Sequence, residues 1–227
     1  IDAWCDWVRL MDPSIIAGHN IFSYDLIYLA HCAAANDTSL FLGRDNSDIT
    51  FDKYESKFRK DGSQFYHYHK VHCYGRELID TMFLSIKYDI GRKYESYGLK
   101  SIIDAEGLQV KDRVFYDAAS IRHNYKIKEE WEKIKQYALH DADDALALFD
   151  LMAPSFFYLS QSVPKPFQLI IESASGSQIN SMMIRSYLQD AHSLPKADEV
   201  VKFEGATSFG NIGIYKNVFK VDVASLY

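Results

Sequence analysis

The chain has 227 residues, of which 48% are hydrophobic and 15% are aromatic, and its formal charge is −6. This length and composition can bury a sizeable core, as one large domain or one domain with part of another. The negative charge argues against a generic nucleic-acid-binding surface, which normally uses a basic patch. It does not exclude a metal-dependent nuclease, because carboxylates hold the divalent ions that meet the phosphate.

The cysteines indicate a reducing compartment. Cys5, Cys32 and Cys73 have no C-x-x-C spacing and are odd in number, so we expect free thiols. No basic segment followed by an apolar run resembles an export signal, and no apolar stretch approaches the roughly 18 residues of a membrane span. The sequence therefore predicts a cytoplasmic protein.

The first 35 residues predict a helix, a strand and a second helix. The first helix ends ahead of Pro13, and its apolar positions are Trp4, Trp7, Val8 and Met11. IIAG, residues 15 to 18, is of strand type, and Gly18 allows a tight turn before Asn20. Ser23 is a plausible N-cap that places Asp25 in the first turn of the next helix. Taken alone, Asp25 is an ordinary first-turn acid that favours the helix dipole.

Residues 36 to 75 are rich in turn residues and contain HYHKVHC. Alternation along a strand places His67, His69 and Cys73 on one face, which is suggestive of zinc. The alternative is an exposed strand of a hairpin that turns at Asp61 and Gly62, and we favour it because closed zinc sites normally use two paired ligand sets.

Two segments further along, residues 75 to 89 and 96 to 108, have the patterns of helices. Ser96 is the expected cap of the second helix, and Gly107 follows its end. Asp80 is expected to cap a helix rather than to take part in catalysis. Residues 120 to 125 form a polar connection in this prediction.

A long helix is predicted from Lys128 to Met152, ended by Pro154. At about 100° per residue, Asp141 falls within about 40° of the centre of the apolar face. A buried Asp requires a metal, a cation or a proton. Tyr137, one turn earlier, can address the same point in space. The apolar face consists of Trp131, Ile134, Ala138, Ala142, Ala145, Phe149 and Met152.

Beyond this helix, residues 162 to 166 (SVPKP) form a stiff connector that we interpret as a boundary region. A helix over residues 177 to 190 follows. GIYKNVFKVDVASLY predicts two strands around Lys216 and Asn217, which deliver Asp222 to a strand end.

Three stretches resemble family B DNA polymerases, in the order of that family. DPSIIAGHNIFSYDLIYL, residues 12 to 29, resembles the second exonuclease motif, with a Gly-x-Asn, an aromatic-Asp pair and a Tyr-Leu. Tyr137 and Asp141 are similar to the Y-x-x-x-D of the third exonuclease motif. KVDVASLY, residues 220 to 227, resembles the start of the polymerase motif Asp-x-x-Ser-Leu-Tyr.

The resemblance implies an α/β fold: an RNase H-like 3′-5′ exonuclease domain that lacks its first strands, then a helical connector and the first β-strands of a polymerase palm. The implied boundaries are residues 1–154, 155–200 and 201–227. An Asp-x-Glu first motif is expected ahead of Ile1, so the fragment is expected to be a poor enzyme although its parent both polymerises and proofreads.

The same resemblance implies roles for particular residues. Asp25, Asp141 and Asp222 would bind metal, with two Mg²⁺ or Mn²⁺ ions in each active site, and Tyr137 would orient the attacking water. The expected partners are a DNA primer-template with a single-stranded 3′ end, deoxynucleoside triphosphates and replication accessory proteins. The DNA end would contact Asn20 and Tyr24, and the nucleotide would contact Ser225, Leu226 and Tyr227.

Two alternatives remain. A stand-alone nuclease would not account for VDVASLY. A catalytically inactive RNase H-like module that binds DNA 3′ ends would be favoured if the first motif were missing from the parent.

Overall fold

The structure is a computed structural model that describes residues 1–61, 64–196, 210–219 and 221. The chain divides into two compact units, Ile1–His192 and Ser193–Tyr227. The helices and strands of the described residues all lie in the first unit.

The first unit mixes short strands with longer helices. Its strands are β1 (Ile15–Gly18), β2 (Thr50–Phe51), β3 (Ser56–Asp61), β4 (Gln64–Tyr68), β5 (Val71–His72) and β6 (Glu77–Asp80). Its helices are α1 (Asp2–Met11), α2 (Asp25–Ala35), α3 (Thr81–Tyr88), α4 (Leu99–Glu106), α5 (Ala118–Asn124), α6 (Lys128–Ser162), α7 (Phe167–Glu172) and α8 (Ser175–Gln189).

A parallel pair of strands, β1 and β6, lies at the centre of this unit, with Ile15 opposite Glu77 and Gly18 opposite Asp80. The prediction that residues 75 to 89 are wholly helical is therefore wrong for residues 77–80. A short apolar run such as Leu78-Ile79 suits a buried strand as well as a buried helix, and pairing with β1 decides between them. Asp80 caps α3 as expected, since its side chain accepts from the Met82 N–H.

The predicted hairpin is confirmed: β3 and β4 pair antiparallel, as do β2 and β5. The hairpin contributes aromatic side chains to the core. The Phe58 ring stacks on the Phe83 ring at 4.1 Å, and the Tyr68 ring meets Phe83 edge-on at 4.8 Å. This cluster fixes α3, and with it the end of β6, against the hairpin.

The first two helices are close to the prediction but differ in detail. In α1 the buried side chains are Cys5 and Val8, whereas Trp7 and Met11 are exposed. α2 begins at Asp25, as expected, but Tyr24 occupies the N-cap position and no side chain caps the helix, so the cap assigned to Ser23 is wrong.

The segment from α4 to α5 also departs from the prediction. Gly107 ends α4 in a left-handed conformation, as expected. Ser96 does not cap α4, because Gly98 occupies the N-cap. The predicted connection at residues 120 to 125 is largely helical in α5, because Asp117 provides a cap by accepting from the Ala119 N–H.

The helix α6 continues through Pro154 to Ser162, so the prediction that Pro154 ends it is wrong. Proline removes one helical hydrogen bond, but packing against α7 stabilises the helix on both sides of Pro154. Phe149, before Pro154, and Phe157, after it, both contact the Phe167 ring of α7, at 6.3 and 5.8 Å.

In the second unit, residues 210–219 contain no strand, so the strands predicted around Lys216 and Asn217 are not found there. The Tyr215 hydroxyl donates to the Asn211 carbonyl at 3.0 Å. Asp222, Ser225, Leu226 and Tyr227 lie outside the described residues. The assignment of residues 155–200 to a connector and 201–227 to a palm stays a prediction.

Over the part of the chain that the structure describes, no helix combines the length and apolar character needed to cross a membrane.

Candidate functional site

A groove of about 520 Å³ runs between β1, α2 and α6 in the first unit. It brings together three of the predicted site residues, Asp25, Tyr137 and Asp141. Tyr137 and Asp141 lie more than 100 residues after Asp25 in the sequence. The rest of the lining is mostly apolar, and it includes Ile16, Ala17, Gly18, Leu26, Leu29, Ala138, Ala142 and Ala145.

Asp25 stands on the α2 side of the groove, in the first turn of the helix. Asp25 is exposed to solvent, and partial desolvation of its carboxyl raises the pKa of Asp25, an effect that its own backbone N–H partly offsets. A carboxyl held in this way gains from a cation placed beside it. Asp25 thus offers carboxylate oxygens to the groove.

Asp141 lies on the α6 side, and its side chain is 30% exposed, so it faces the groove and is not buried as deeply as predicted. From the sequence we expect a metal, a cation or a proton beside Asp141, and in the structure a cation lies there. The Arg113 guanidinium donates to Asp141 Oδ1 at 2.7 Å. The same contact orients the Asp141 carboxylate.

Arg113 also pairs with Asp144, one turn along α6, and the sequence analysis did not identify either residue. The Asp144 side chain is 0% exposed and that of Arg113 is 4% exposed. Arg113 Nε and Asp144 Oδ1 are buried and have no hydrogen-bond partner. Because Arg113 is 28 and 31 residues from its partners, no local pattern could have revealed the pairing.

Two further hydrogen bonds connect the segment that carries Arg113 to α6. The Val114 N–H donates to His140 Nδ1 at 3.1 Å, and the Tyr116 hydroxyl donates to Glu130 at 2.9 Å. These contacts hold the guanidinium against the helix from outside the groove.

Tyr137 is anchored by a residue of α4 that the sequence analysis also passed over. The Lys100 ammonium donates to the Tyr137 hydroxyl at 2.7 Å and lies 4.3 Å from the centre of its ring. The Tyr137 hydroxyl is therefore positioned by a cation, beside the groove that Asp25 and Asp141 share.

The loop between β1 and α2 carries Asn20 and is organised by Asp80. The Asn20 N–H donates to Asp80 Oδ1 at 2.9 Å, and the Phe22 N–H approaches Oδ2 at 3.5 Å. Asn20 adopts a left-handed backbone conformation, with φ of 63°. Asp80 is fully buried, which raises its pKa to about 7 although backbone N–H donors oppose the shift. It supports the candidate site without lining the groove.

Gly18, at the start of this loop, leaves no room for a side chain. A Cβ at this position would lie 2.4 Å from Ile21 Cγ2. We expect Gly18→Ala to lower the free energy of unfolding by about 1–3 kcal/mol, as overpacking does elsewhere, measured by urea denaturation. Gly176→Ala is the control, since a Cβ there meets nothing within 4 Å and a helical alanine should not destabilise. Equal stability of the Gly18→Ala and parent chains would contradict the prediction.

Tyr24, the N-cap residue of α2, is exposed, and its ring stacks on that of Tyr28 at 6.1 Å with the planes nearly parallel. Two stacked, exposed tyrosines offer flat surfaces to the bases of a single strand. The Tyr24 ring is exposed, but neither Tyr24 nor Asn20 is among the residues that line the groove, so their contact with a DNA end stays a prediction.

Each histidine of HYHKVHC is hydrogen-bonded to either Glu55 or Asp52. His67 Nδ1 lies 2.6 Å from Glu55, His72 Nε2 lies 2.8 Å from Asp52, and His69 Nδ1 lies 3.0 Å from the Asp52 carbonyl oxygen. Cys73 is buried. The arrangement is that of a hairpin with polar cross-links.

The residues of the groove suit a hard divalent ion in type but do not complete a ligand set. Carboxylate oxygens are the ligands that Mg²⁺ and Mn²⁺ prefer, and Asp25 and Asp141 supply them from two walls. Within the described residues, no three His, Cys, Asp or Glu side chains lie close enough together to hold a metal ion.

Comparison with known proteins identifies relatives of the chain. Residues 1–102 match the family described as DNA polymerase family B, exonuclease domain. The chain is 25% identical to the DNA polymerase of Archaeoglobus fulgidus, over 98% of this chain and 26% of that protein. It is 28% identical to the DNA polymerase delta catalytic subunit of Glycine max, over 99% of this chain and 21% of that protein.

A solved structure has the same fold. The family B DNA polymerase from Pyrobaculum calidifontis superimposes with a TM-score of 0.68 and 18% identity, and the match covers 88% of this chain and 24% of the other. The chain therefore spans about a quarter of the length of the proteins that it matches.

Proposed function

We propose that the chain is the exonuclease region of a polymerase that also synthesises DNA, because residues 1–102 match the family described as DNA polymerase family B, exonuclease domain. In this proposal the groove receives a single-stranded 3′ end, and the whole protein removes misincorporated nucleotides from it. The observation that carries the proposal is the convergence of Asp25, Tyr137 and Asp141 on one groove.

Each residue has a distinct part in the proposed reaction. Asp25 and Asp141 would hold Mg²⁺ or Mn²⁺, which when bound supplies activation of water and stabilisation of the leaving oxygen. The Tyr137 hydroxyl would orient the attacking water through a hydrogen bond. Asn20 and the Tyr24 ring would hold the last nucleotides, with stacking in place of sequence readout.

The remaining ligands are proposed to come from a segment outside residues 1–227. Among the described residues, β1 pairs with a strand on one edge only, where β6 lies. Ile16, Ala17 and Gly18 of β1 line the groove. An unpaired strand edge favours addition of another strand, and a strand there would bring its side chains close to Asp25 and Asp141.

The test is degradation of 5′-labelled single-stranded DNA in Mg²⁺ or Mn²⁺, followed on a gel. The 227-residue chain should degrade it slowly, and the whole polymerase should degrade it readily. Asp141→Ala in the whole polymerase should lower the rate by about 100-fold or more, the order lost with one essential electrostatic contact. Asp150→Ala is the matched control, since Asp150 lies on the same helix, exposed and outside the groove.

Two outcomes would contradict parts of this proposal. Rapid degradation by the 227-residue chain, lost in Asp141→Ala, would show that no outside carboxylate is needed. A whole polymerase that binds the 3′ end without degrading it would favour the second candidate, an inactive end-binding module. The Arg113 guanidinium on Asp141 favours that second candidate, because it occupies one oxygen of a proposed metal ligand.

A further inference from the structure

Lys100 occupies an unusual position beside the candidate site. It is the second residue of α4, and the preceding residue, Leu99, lines the groove. Its ammonium lies over the Tyr137 ring and hydrogen-bonds the Tyr137 hydroxyl at 2.7 Å. Among the described residues, no carboxylate forms an ion pair with Lys100.

The chemistry of this contact fixes the direction of its hydrogen bond. An ammonium has three N–H donors and no acceptor, so the Tyr137 oxygen must accept from Lys100. The phenolic proton is then available for donation to a third group. Two further N–H bonds of the ammonium are also available, and within the described residues Lys100 forms no ion pair with an acidic side chain.

The Lys100–Tyr137 pair therefore presents several donors and one positive charge at the rim of a groove that also holds two carboxylates. Such a combination favours an anion with several acceptor oxygens. A phosphodiester meets this requirement, and a single strand that enters the groove carries one for every nucleotide. A neutral ligand would leave the charge of Lys100 unused.

We propose that Lys100 is a substrate-binding residue that contacts the phosphodiester backbone of the single strand, and that its hydrogen bond to the Tyr137 hydroxyl positions it for this contact. The inference rests on the proposed function, since it assumes that the groove receives DNA. It adds a contact from α4, an element outside the three motifs that suggested that function. Lys100 also keeps the Tyr137 side chain in place when DNA is absent.

The test is equilibrium binding of a fluorescein-labelled twelve-residue oligothymidine to the 227-residue chain, followed by anisotropy over a range of salt concentrations. Ca²⁺ replaces Mg²⁺ in order to limit cleavage. We expect Lys100→Met to weaken binding about tenfold at low salt, the scale of one charge-assisted hydrogen bond. The slope of log K against log salt should become shallower by about 0.7, the value for loss of one phosphate contact on a single strand. A purely structural role would not move this slope.

Three further variants sharpen the result. Lys100→Arg should retain the salt slope, because it keeps the charge. Tyr137→Phe should weaken binding without changing the slope, because it removes the hydroxyl that positions Lys100 but keeps the charge of Lys100. Lys53→Met is the matched control: Lys53 also lies over a tyrosine ring, that of Tyr54 at 5.6 Å, but Tyr54, unlike Tyr137, does not line the groove.

The possible outcomes separate the two proposals. If the unsubstituted 227-residue chain binds the oligonucleotide and Lys100→Met binds it with the same affinity and salt slope, the proposed role of Lys100 is wrong. The proposed function is then unaffected. If the unsubstituted 227-residue chain does not bind the oligonucleotide, the proposal that the groove binds DNA is wrong, and the inference about Lys100 is wrong with it. Equal losses in Lys100→Met and Lys53→Met would reduce the effect to net charge and would also overturn the inference.

Discussion

Arg113→Ala is expected to lower the free energy of unfolding by about 3–5 kcal/mol, the cost of removing one partner from a buried ion pair. The variant leaves the Asp144 carboxylate fully buried without its cation. It also releases Asp141 on the groove side. Urea denaturation monitored by circular dichroism measures the effect. Arg122→Ala is the control, since Arg122 is exposed and its loss should cost less than about 1 kcal/mol.

A double variant tests the cause of this loss. In Arg113→Leu/Asp144→Leu both members of the buried pair become apolar, and replacement of this kind is often neutral. It also removes the two buried atoms that lack partners, Arg113 Nε and Asp144 Oδ1. We expect the double variant to recover most of the stability lost in Arg113→Ala. A double variant as unstable as the single one would show that the uncompensated charge of Asp144 is not the cause.

Asp80 gives the second large effect, a stability that falls as pH rises. Its folded-state pKa of about 7 lies above the ordinary value for Asp of about 3.9. Between these values the folded state binds more protons than the unfolded state, so the free energy of unfolding decreases with increasing pH. The stabilisation is complete below about pH 4 and is lost as pH rises through about 7, and three pH units at about 1.4 kcal/mol each amount to about 4 kcal/mol.

The difference in stability between the parent chain and Asp80→Asn isolates this contribution. Asparagine keeps one oxygen for the N–H groups of Asn20 and Met82, at 2.9 Å each, and loses the longer contact with Phe22. Denaturation midpoints at pH 4 to 8 should show the parent losing up to about 4 kcal/mol relative to Asp80→Asn. Parallel curves would contradict the assignment.

Asp89, at the other end of α3, is a matched control with the opposite sign. Burial acts to raise its pKa, but the N–H groups of Lys93 and Tyr94 and the Tyr97 hydroxyl outweigh this and hold the pKa of Asp89 below its usual range. Its contribution is present at neutral pH and is lost as pH falls through the folded pKa. Asp89→Asn should therefore destabilise the chain more at pH 7 than at a pH well below the ordinary Asp pKa of about 3.9, whereas Asp80→Asn should destabilise it more at pH 4 than at pH 8.

The sequence pattern correctly predicted features that depend on a single helix, strand or turn. The helical spacing of residues 2–11, the apolar run at 15–18, the left-handed Gly107 and the acid that caps α3 were all readable from the sequence. Prediction from the sequence pattern failed where contacts between elements distant in the sequence outweigh local preferences. α6 passes through Pro154 because Phe149 and Phe157 both pack on Phe167, a contact that no window of a few residues contains.

By itself the sequence determined the composition of the candidate site: Asp25 at a helix start, and Tyr137 and Asp141 one turn apart on a helix. Helical geometry fixes such spacings within one element. Only the tertiary structure decided that these residues share one groove, that Arg113 satisfies Asp141 and Asp144, and that Lys100 holds the Tyr137 hydroxyl. The physical reason is that hydrogen bonds and charge pairs act over a few ångströms, and the residues that they join here lie 28 to 37 positions apart.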